Sequence, residues 1–136
     1  MKKIIFLLIA GLTVSGCADK KSQKKAVLDS VLSIHDKVMG ADEQLMKNRL
    51  LLEGMVKSNP TAEIKDSVYR YLDKLKLADS TMDTWMHNFD YEQKGKSENE
   101  SITYYQSQKK IIKSIDSQIN AAVNRSNKYL IKMKMK

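Results

Sequence analysis

Three apolar seams, each stepping alternately by four and three residues, constrain this chain more than any other feature. The first runs Val27, Val31, Ile34, Val38, Ala41, Leu45, Asn48, Leu52 and Met55. The second runs Ile64, Val68, Tyr71, Leu75, Ala78, Met82, Trp85 and Phe89. The third runs Tyr105, Gln108, Ile112, Ile115, Ile119, Ala122, Ser126, Tyr129 and Met133, with Val123 and Leu130 widening it. That alternation puts the members of a seam on one stripe of an α-helix, and a strand's period of two does not reproduce it. Each stripe needs a covering element, and three stripes cover one another most simply as a bundle. The expected fold is therefore all-α, an up-down-up three-helix bundle of long antiparallel helices over about 26–57, 60–90 and 98–133. The third seam is the most polar. An oligomer that buries it between chains is the alternative.

The breaks between seams carry turn chemistry. Ser58-Asn59-Pro60 ends the first stripe, with Asn59 suited to an N-cap and Pro60 to the first helical position. Such a short turn makes helices one and two antiparallel neighbours. Asp90 to Lys96, containing Gly95, reads as the second loop, and Ser97 with Glu100 three residues later reads as a capping box. Asp29, Asp36 and Glu43 fall opposite the first seam. No Gly-rich phosphate loop interrupts the pattern.

Size and charge narrow the function. At 136 residues the chain holds one small domain, and its formal net charge is +8. The excess gathers near the end: Lys109, Lys110, Lys113, Arg125, Lys128, Lys132, Lys134 and Lys136 face Asp116 alone. A basic third helix suits an anionic cell-wall polymer, an anionic lipid or an envelope protein, or else simply a solvated face. Catalysis is not expected. Two histidines on a bundle offer no triad, and the carboxylates are scattered over exposed faces without an isolated buried pair.

The N-terminus says where such a chain lives. Lys2 and Lys3 precede a short apolar run, Ile4 to Leu12, and then small residues. This is the make-up of a secretory signal, too short to span a bilayer, which takes about 20 apolar residues. Val14-Ser15-Gly16-Cys17 resembles the lipobox of bacterial lipoproteins. The resemblance implies a signal peptide over 1–16 and lipidation of Cys17 as the first mature residue, with the acyl chains as the membrane anchor. An ordinary cleaved signal with an incidental Cys17 is the alternative. Cys17 is the single cysteine, so once lipidated it leaves no thiol for a disulfide, a nucleophile or a metal. Residues 17–25 are polar and aperiodic and read as a flexible lipidated tether. Bacteroidota lipoproteins with an acidic run after the cysteine are surface-exported; Asp19 followed by lysines departs from that. The expected location is the bacterial cell envelope, lipid-anchored, in the outer membrane facing the periplasm. Export argues against nucleic acid as a partner.

One layer of the expected bundle gathers residues with chemistry. If Met55 faces Ile64 across the first turn, His35 falls level with Met82 to Met86. His35, Met39, Met82, Trp85, Met86 and His87 then lie toward the anchored end. Thioethers and imidazole suit Cu(I), and a Trp face can hold a cation. Residue types, though not spacing or fold, resemble periplasmic Cu(I) carriers. Against this, Met82 and Trp85 are seam residues that also serve as core filler, and His87 falls on the solvent stripe.

Two further resemblances rest on short stretches. Ile34-His35-Asp36-Lys37-Val38-Met39, with Ala78 to Phe89, looks like a group of small Bacteroidota lipoproteins often labelled "viral A-type inclusion protein". They share a His-Asp-x-Val-Met and a Met-x-x-Trp-Met-x-x-Phe stretch, and the resemblance brings no activity with it. Asp29-Ser30-Val31, Asp66-Ser67-Val68 and Asp79-Ser80-Thr81 fit a short O-glycosylation pattern of Bacteroidota envelope proteins, at Ser30, Ser67 and Ser80. A terminal Lys136 looks loosely like the wall-linked lipoprotein of enterobacteria, without its Tyr-Arg-Lys ending. The function expected is a lipid-anchored helical scaffold or adaptor. The alternative is a small Cu(I) or soft-ligand module built on His35, Met39, Met82, Trp85 and Met86.

Overall fold

The computed structural model describes residues 15–134. They form three helices: α1 (Ser15–Lys57), α2 (Ala62–Asn88) and α3 (Glu98–Lys134). The expected signal residues before Ser15, the Cys17 side chain and Lys136 lie outside the described residues. Contacts between α1 and α3 climb together, from Lys24 with Glu98 to Lys37 with Asp116 and Asn48 with Ser126. Those two helices are therefore parallel. Contacts from α2 run the other way, Arg49 to Asp79 and Trp85 to Gln108, so α2 is antiparallel to both. This is the up-down-up three-helix bundle that the seams require.

The seams are the core. Val31, Val38, Leu45, Leu52, Val68, Leu75 and Ile112 are fully buried, and Val27, Ile34, Met55, Ile64, Tyr71, Phe89 and Tyr129 pack around them. Burying a Val, Leu or Ile side chain stabilises by about 1.5–3 kcal/mol against leaving it exposed. No cysteine pair contributes, since the chain has one cysteine.

Helix boundaries depart from expectation at two places. α1 runs back through 17–25, where a flexible tether was expected. Lysine and glutamine are good helix formers, so nothing in this polar stretch stops a helix once Ala26 onward is packed. Lys25 Nζ lies 2.6 Å from Asp29 Oδ2 one turn on. Lys24 Nζ lies 3.6 Å from Glu98 Oε2 and ties the stretch to the start of α3.

The N-cap of α2 is Thr61 rather than Asn59, and Pro60 stands before the helix. Asn59 adopts a left-handed φ of 58°. The residue before a proline is pushed out of the right-handed helical region, and asparagine tolerates the left-handed one. Asn59 therefore terminates α1, whose last turn closes through the Ser58 N–H donating to the Gly54 carbonyl at 3.2 Å. Thr61 then accepts the Ile64 N–H on its Oγ1 at 3.5 Å.

The capping box of α3 forms as the sequence predicts. Glu100 Oε2 accepts the Ser97 N–H at 2.8 Å, and Ser97 Oγ accepts the Glu100 N–H at 3.3 Å. Ser97 Oγ also donates to that carboxylate at 2.7 Å. These side-chain and backbone hydrogen bonds from Ser97 hold Glu100 below its ordinary carboxylate value.

Candidate functional site

The heptad spacing of α2 points Trp85 and Phe89 along one stripe, one turn apart. Their rings stack with centroids 4.8 Å apart. Phe89 continues the stack to Tyr104 at 6.1 Å and meets Tyr105 at 6.3 Å with its ring tilted by 48°, both on α3. The His35 imidazole of α1 also neighbours Trp85, 6.1 Å away and tilted by 35°. One aromatic layer therefore crosses all three helices. The Trp85 indole N–H donates to Gln108 Oε1 at 2.8 Å, so the ring's polar edge is satisfied inside the bundle.

The same layer fastens the α2–α3 loop. The Tyr104 hydroxyl accepts the Asp90 N–H at 2.8 Å, and the Tyr105 hydroxyl donates to the Tyr91 carbonyl at 2.8 Å. Asp90 folds the loop onto itself, accepting the Glu92 and Gln93 N–H groups on Oδ1 and the Gln93 side-chain amide on Oδ2. Burial, then the Asp90 carboxylate, then the neighbouring tyrosines raise Tyr105 above the ordinary phenol value. Trp85 and Phe89 of α2 thus link His35 of α1 to Tyr104 and Tyr105 of α3, and those two tyrosines hold the loop.

The expected soft-ligand cluster divides. Met39, Met82 and Met86 line one small dimple of about 50 Å³ between α1 and α2, together with Asp42, Asp79 and Asp83. His35 is not among its walls. Its Nδ1–H donates to Asp36 Oδ1 at 3.0 Å, and its ring lies against Trp85. Met82 is buried, Met86 half-buried and Met39 exposed. Burial first, then the Asp42 and Asp83 carboxylates, raise Asp79 above its ordinary value, against the lowering pull of Arg49 at 3.4 Å. Among the described residues, no three His, Cys, Asp or Glu side chains converge as a metal site. His87 is on the solvent face, as the stripe predicts, with Nδ1–H donating to the Asp83 carbonyl at 2.7 Å.

A second, polar layer lies farther along α1 and α3. Asn48 is fully buried and donates to Ser126 Oγ at 2.8 Å and to the Val123 carbonyl at 3.2 Å. The Gln44 amide closes the set by donating to Asn48 Oδ1 at 2.7 Å and Asn127 Oδ1 at 3.3 Å. Both Asn48 and Ser126 are polar members of their seams, which is the sequence signal for this layer. Gln108, also a polar seam member, gives the same kind of signal for the Trp85 partner.

The candidate glycosylation serines are dispersed. Ser80 is exposed on α2, with its hydroxyl donating to the Leu77 carbonyl at 3.1 Å, while Ser30 and Ser67 are half-buried on α1 and α2. On α3 the carboxylate of Asp116 accepts from Lys37 Nζ at 2.8 Å. Lys109, Lys110, Lys113, Arg125, Lys128 and Lys132 have no ion-pair partner among the described residues. No described helix is long and apolar enough to cross a membrane. Comparison with known proteins gives no matching family model, no matching curated protein and no matching solved structure.

Proposed function

We propose that the chain is a lipid-anchored helical adaptor of the bacterial envelope, held through Cys17 and working through its outer faces rather than through catalysis. The observation that carries this reading is the basic surface of α3. Asp116 is the one carboxylate from Lys109 onward, and Lys37 already occupies it. The remaining cations are left for an anionic wall polymer or an acidic protein. Such contacts weaken with salt, because exposed charges are screened within roughly 8–10 Å at physiological ionic strength. The interior chemistry is consistent with the same reading, since the Trp85 indole, the Tyr105 hydroxyl and the Asn48 amide are each taken up by hydrogen bonds within the chain.

Two measurements test it. Labelled palmitate should enter the wild-type chain and not Cys17→Ser. Co-sedimentation with purified peptidoglycan should fall with added salt and with Lys128→Glu plus Lys132→Glu; sedimentation unchanged by that pair removes the basic contact. The Cu(I) reading stands second. It keeps three thioethers in one dimple but loses its imidazole.

A further inference from the structure

The close α1–α3 pairing leaves α2 and α3 with an open groove on their outer side. Two depressions make it up, of about 190 and 520 Å³, and they meet at Leu77. Leu77 is 63 % exposed and Ile111, across from it on α3, is 46 % exposed. Ile115 and Trp85 form part of the floor. Neither Leu77 nor Ile111 belongs to a seam, so the bundle's own packing does not call for an apolar residue at either place.

The polar groups along this groove decide what fits it. Thr81 Oγ1 donates to the Leu77 carbonyl at 2.7 Å, and Thr84 Oγ1 to the Ser80 carbonyl at 2.8 Å. The Asn88 amide donates to the Thr84 carbonyl at 2.8 Å, and the Trp85 N–H is taken by Gln108. Hydroxyl and amide donors turned back onto their own helix leave little for a glycan to bond. The surface offered is apolar, and an apolar helix face covers such a surface best. At the other end stand Lys74 and Arg125, with no carboxylate in the wall of either depression and no ion-pair partner among the described residues. An occupant with negative charge at that end complements them.

We propose that the α2–α3 groove receives an amphipathic helix of an acidic partner protein, packed as a fourth helix. Its apolar stripe covers Leu77 and Ile111, and its carboxylates meet Lys74 and Arg125. From Lys74 to Asn88 the groove is about 21 Å long, which a helix of about 14 residues spans at 1.5 Å per residue. The assignment rests on the adaptor reading and names the surface and the partner's chemistry.

The test uses the mature chain without its lipidated cysteine, residues 18–136, which stays clear of micelles. The probe is a synthetic helix of about 14 residues with leucines on one stripe and glutamates near one end. A counterpart carries lysines in place of the glutamates. Saturable binding of the glutamate probe, followed by Trp85 fluorescence, is expected. Leu77→Glu should weaken it by about tenfold or more. Lys74→Glu plus Arg125→Glu should shift the preference to the lysine probe, and Leu50→Glu on the outside of α1 should change nothing. All these positions are exposed, so the variants keep their helical circular dichroism. Equal binding of both probes, or binding untouched by Leu77→Glu, overturns the proposal. So does a dimer that Leu77→Glu dissociates, which would give the groove to a second copy. Photo-cross-linkers at Leu77 in cells, beside the peptidoglycan co-sedimentation of the Lys128→Glu plus Lys132→Glu variant, separate the two levels: salt-sensitive sedimentation lost in that variant with no partner captured at Leu77 sinks the groove and spares the adaptor, and failure of both sinks both.

Discussion

The aromatic layer around Trp85 and the polar layer around Asn48 solve one problem with opposite materials. Both cross the bundle and fix how helices sit against one another. The aromatic layer does it with area: Trp85, Phe89 and Tyr104 stack, Tyr105 meets Tyr104 edge-on, and two phenol hydroxyls pin the loop from Asp90 to Tyr91. The polar layer does it with direction, since Asn48 is satisfied only where Ser126 and the Val123 carbonyl face it. A buried amide in a seam selects register at some cost in stability, as single polar residues do in coiled coils. The lesson of the difference is that the aromatic layer should dominate stability and the polar layer uniqueness.

The largest effect tests the aromatic side. Trp85→Ala should cost about 3–5 kcal/mol by urea denaturation, since it removes a buried indole at the centre of the stack. A loss under about 1 kcal/mol would mean that the layer is not what holds this end. The polar side is sharpened by a pair. Asn48→Leu alone should cost about 1–3 kcal/mol, because the Gln44 amide, the Ser126 hydroxyl and the Val123 carbonyl each lose one hydrogen bond in a buried layer. Asn48→Leu with Ser126→Ala should return stability to the parent level or above, while NMR resonances broaden as register loosens. Sharp single resonances in that double variant would deny the polar layer its role.

Smaller effects probe the loop and the caps. Tyr104→Phe removes the acceptor for the Asp90 N–H and should cost about 1 kcal/mol, with hydrogen exchange quickening in the loop and not near Asn48. The pH dependence differs in sign between two carboxylates. Glu100 is held below its ordinary value, so its contribution is present above pH 4.5 and is lost as pH falls through its folded value. Asp79 is raised, so its protonated form suits the fold, and stability declines as pH rises from 3.8 through its folded value. Asp79→Asn should therefore raise Tm slightly at pH 7 and not at pH 3, whereas Glu100→Gln should lower it at pH 7 and not at pH 3. Matching responses from both variants would contradict these directions.

Most of the fold was legible because periodicity reports burial directly. The seam residues Val31, Leu45, Leu75 and Ile112 are buried as their spacing demands, and Ser97 with Glu100 caps α3 as their spacing demands. The boundary misses have local causes. Residues 17–25 look loop-like by polarity, yet lysine is a good helix former, and polarity alone does not end a helix. Asn59-Pro60 has the composition of a helix start, but the proline constraint on Asn59 made it a helix stop. The candidate cluster was legible only as a level in the bundle. Spacing brought His35, Met82 and Trp85 to one height, and it does not say which side of Trp85 each occupies. The imidazole lies against the ring, while the methionines lie in a dimple with three aspartates.

That arrangement makes the central claim testable in one titration. We propose that Trp85 serves the core, that His35 packs at its edge without holding a metal, and that function lies on the outer faces. The measurement is a Cu(I) titration of residues 18–136 against a competing chelator, followed through Trp85 fluorescence. The account predicts no change beyond the chelator controls and no difference between the parent and His35→Ala. Saturable one-to-one quenching that disappears in His35→Ala would contradict it and make this layer a metal site.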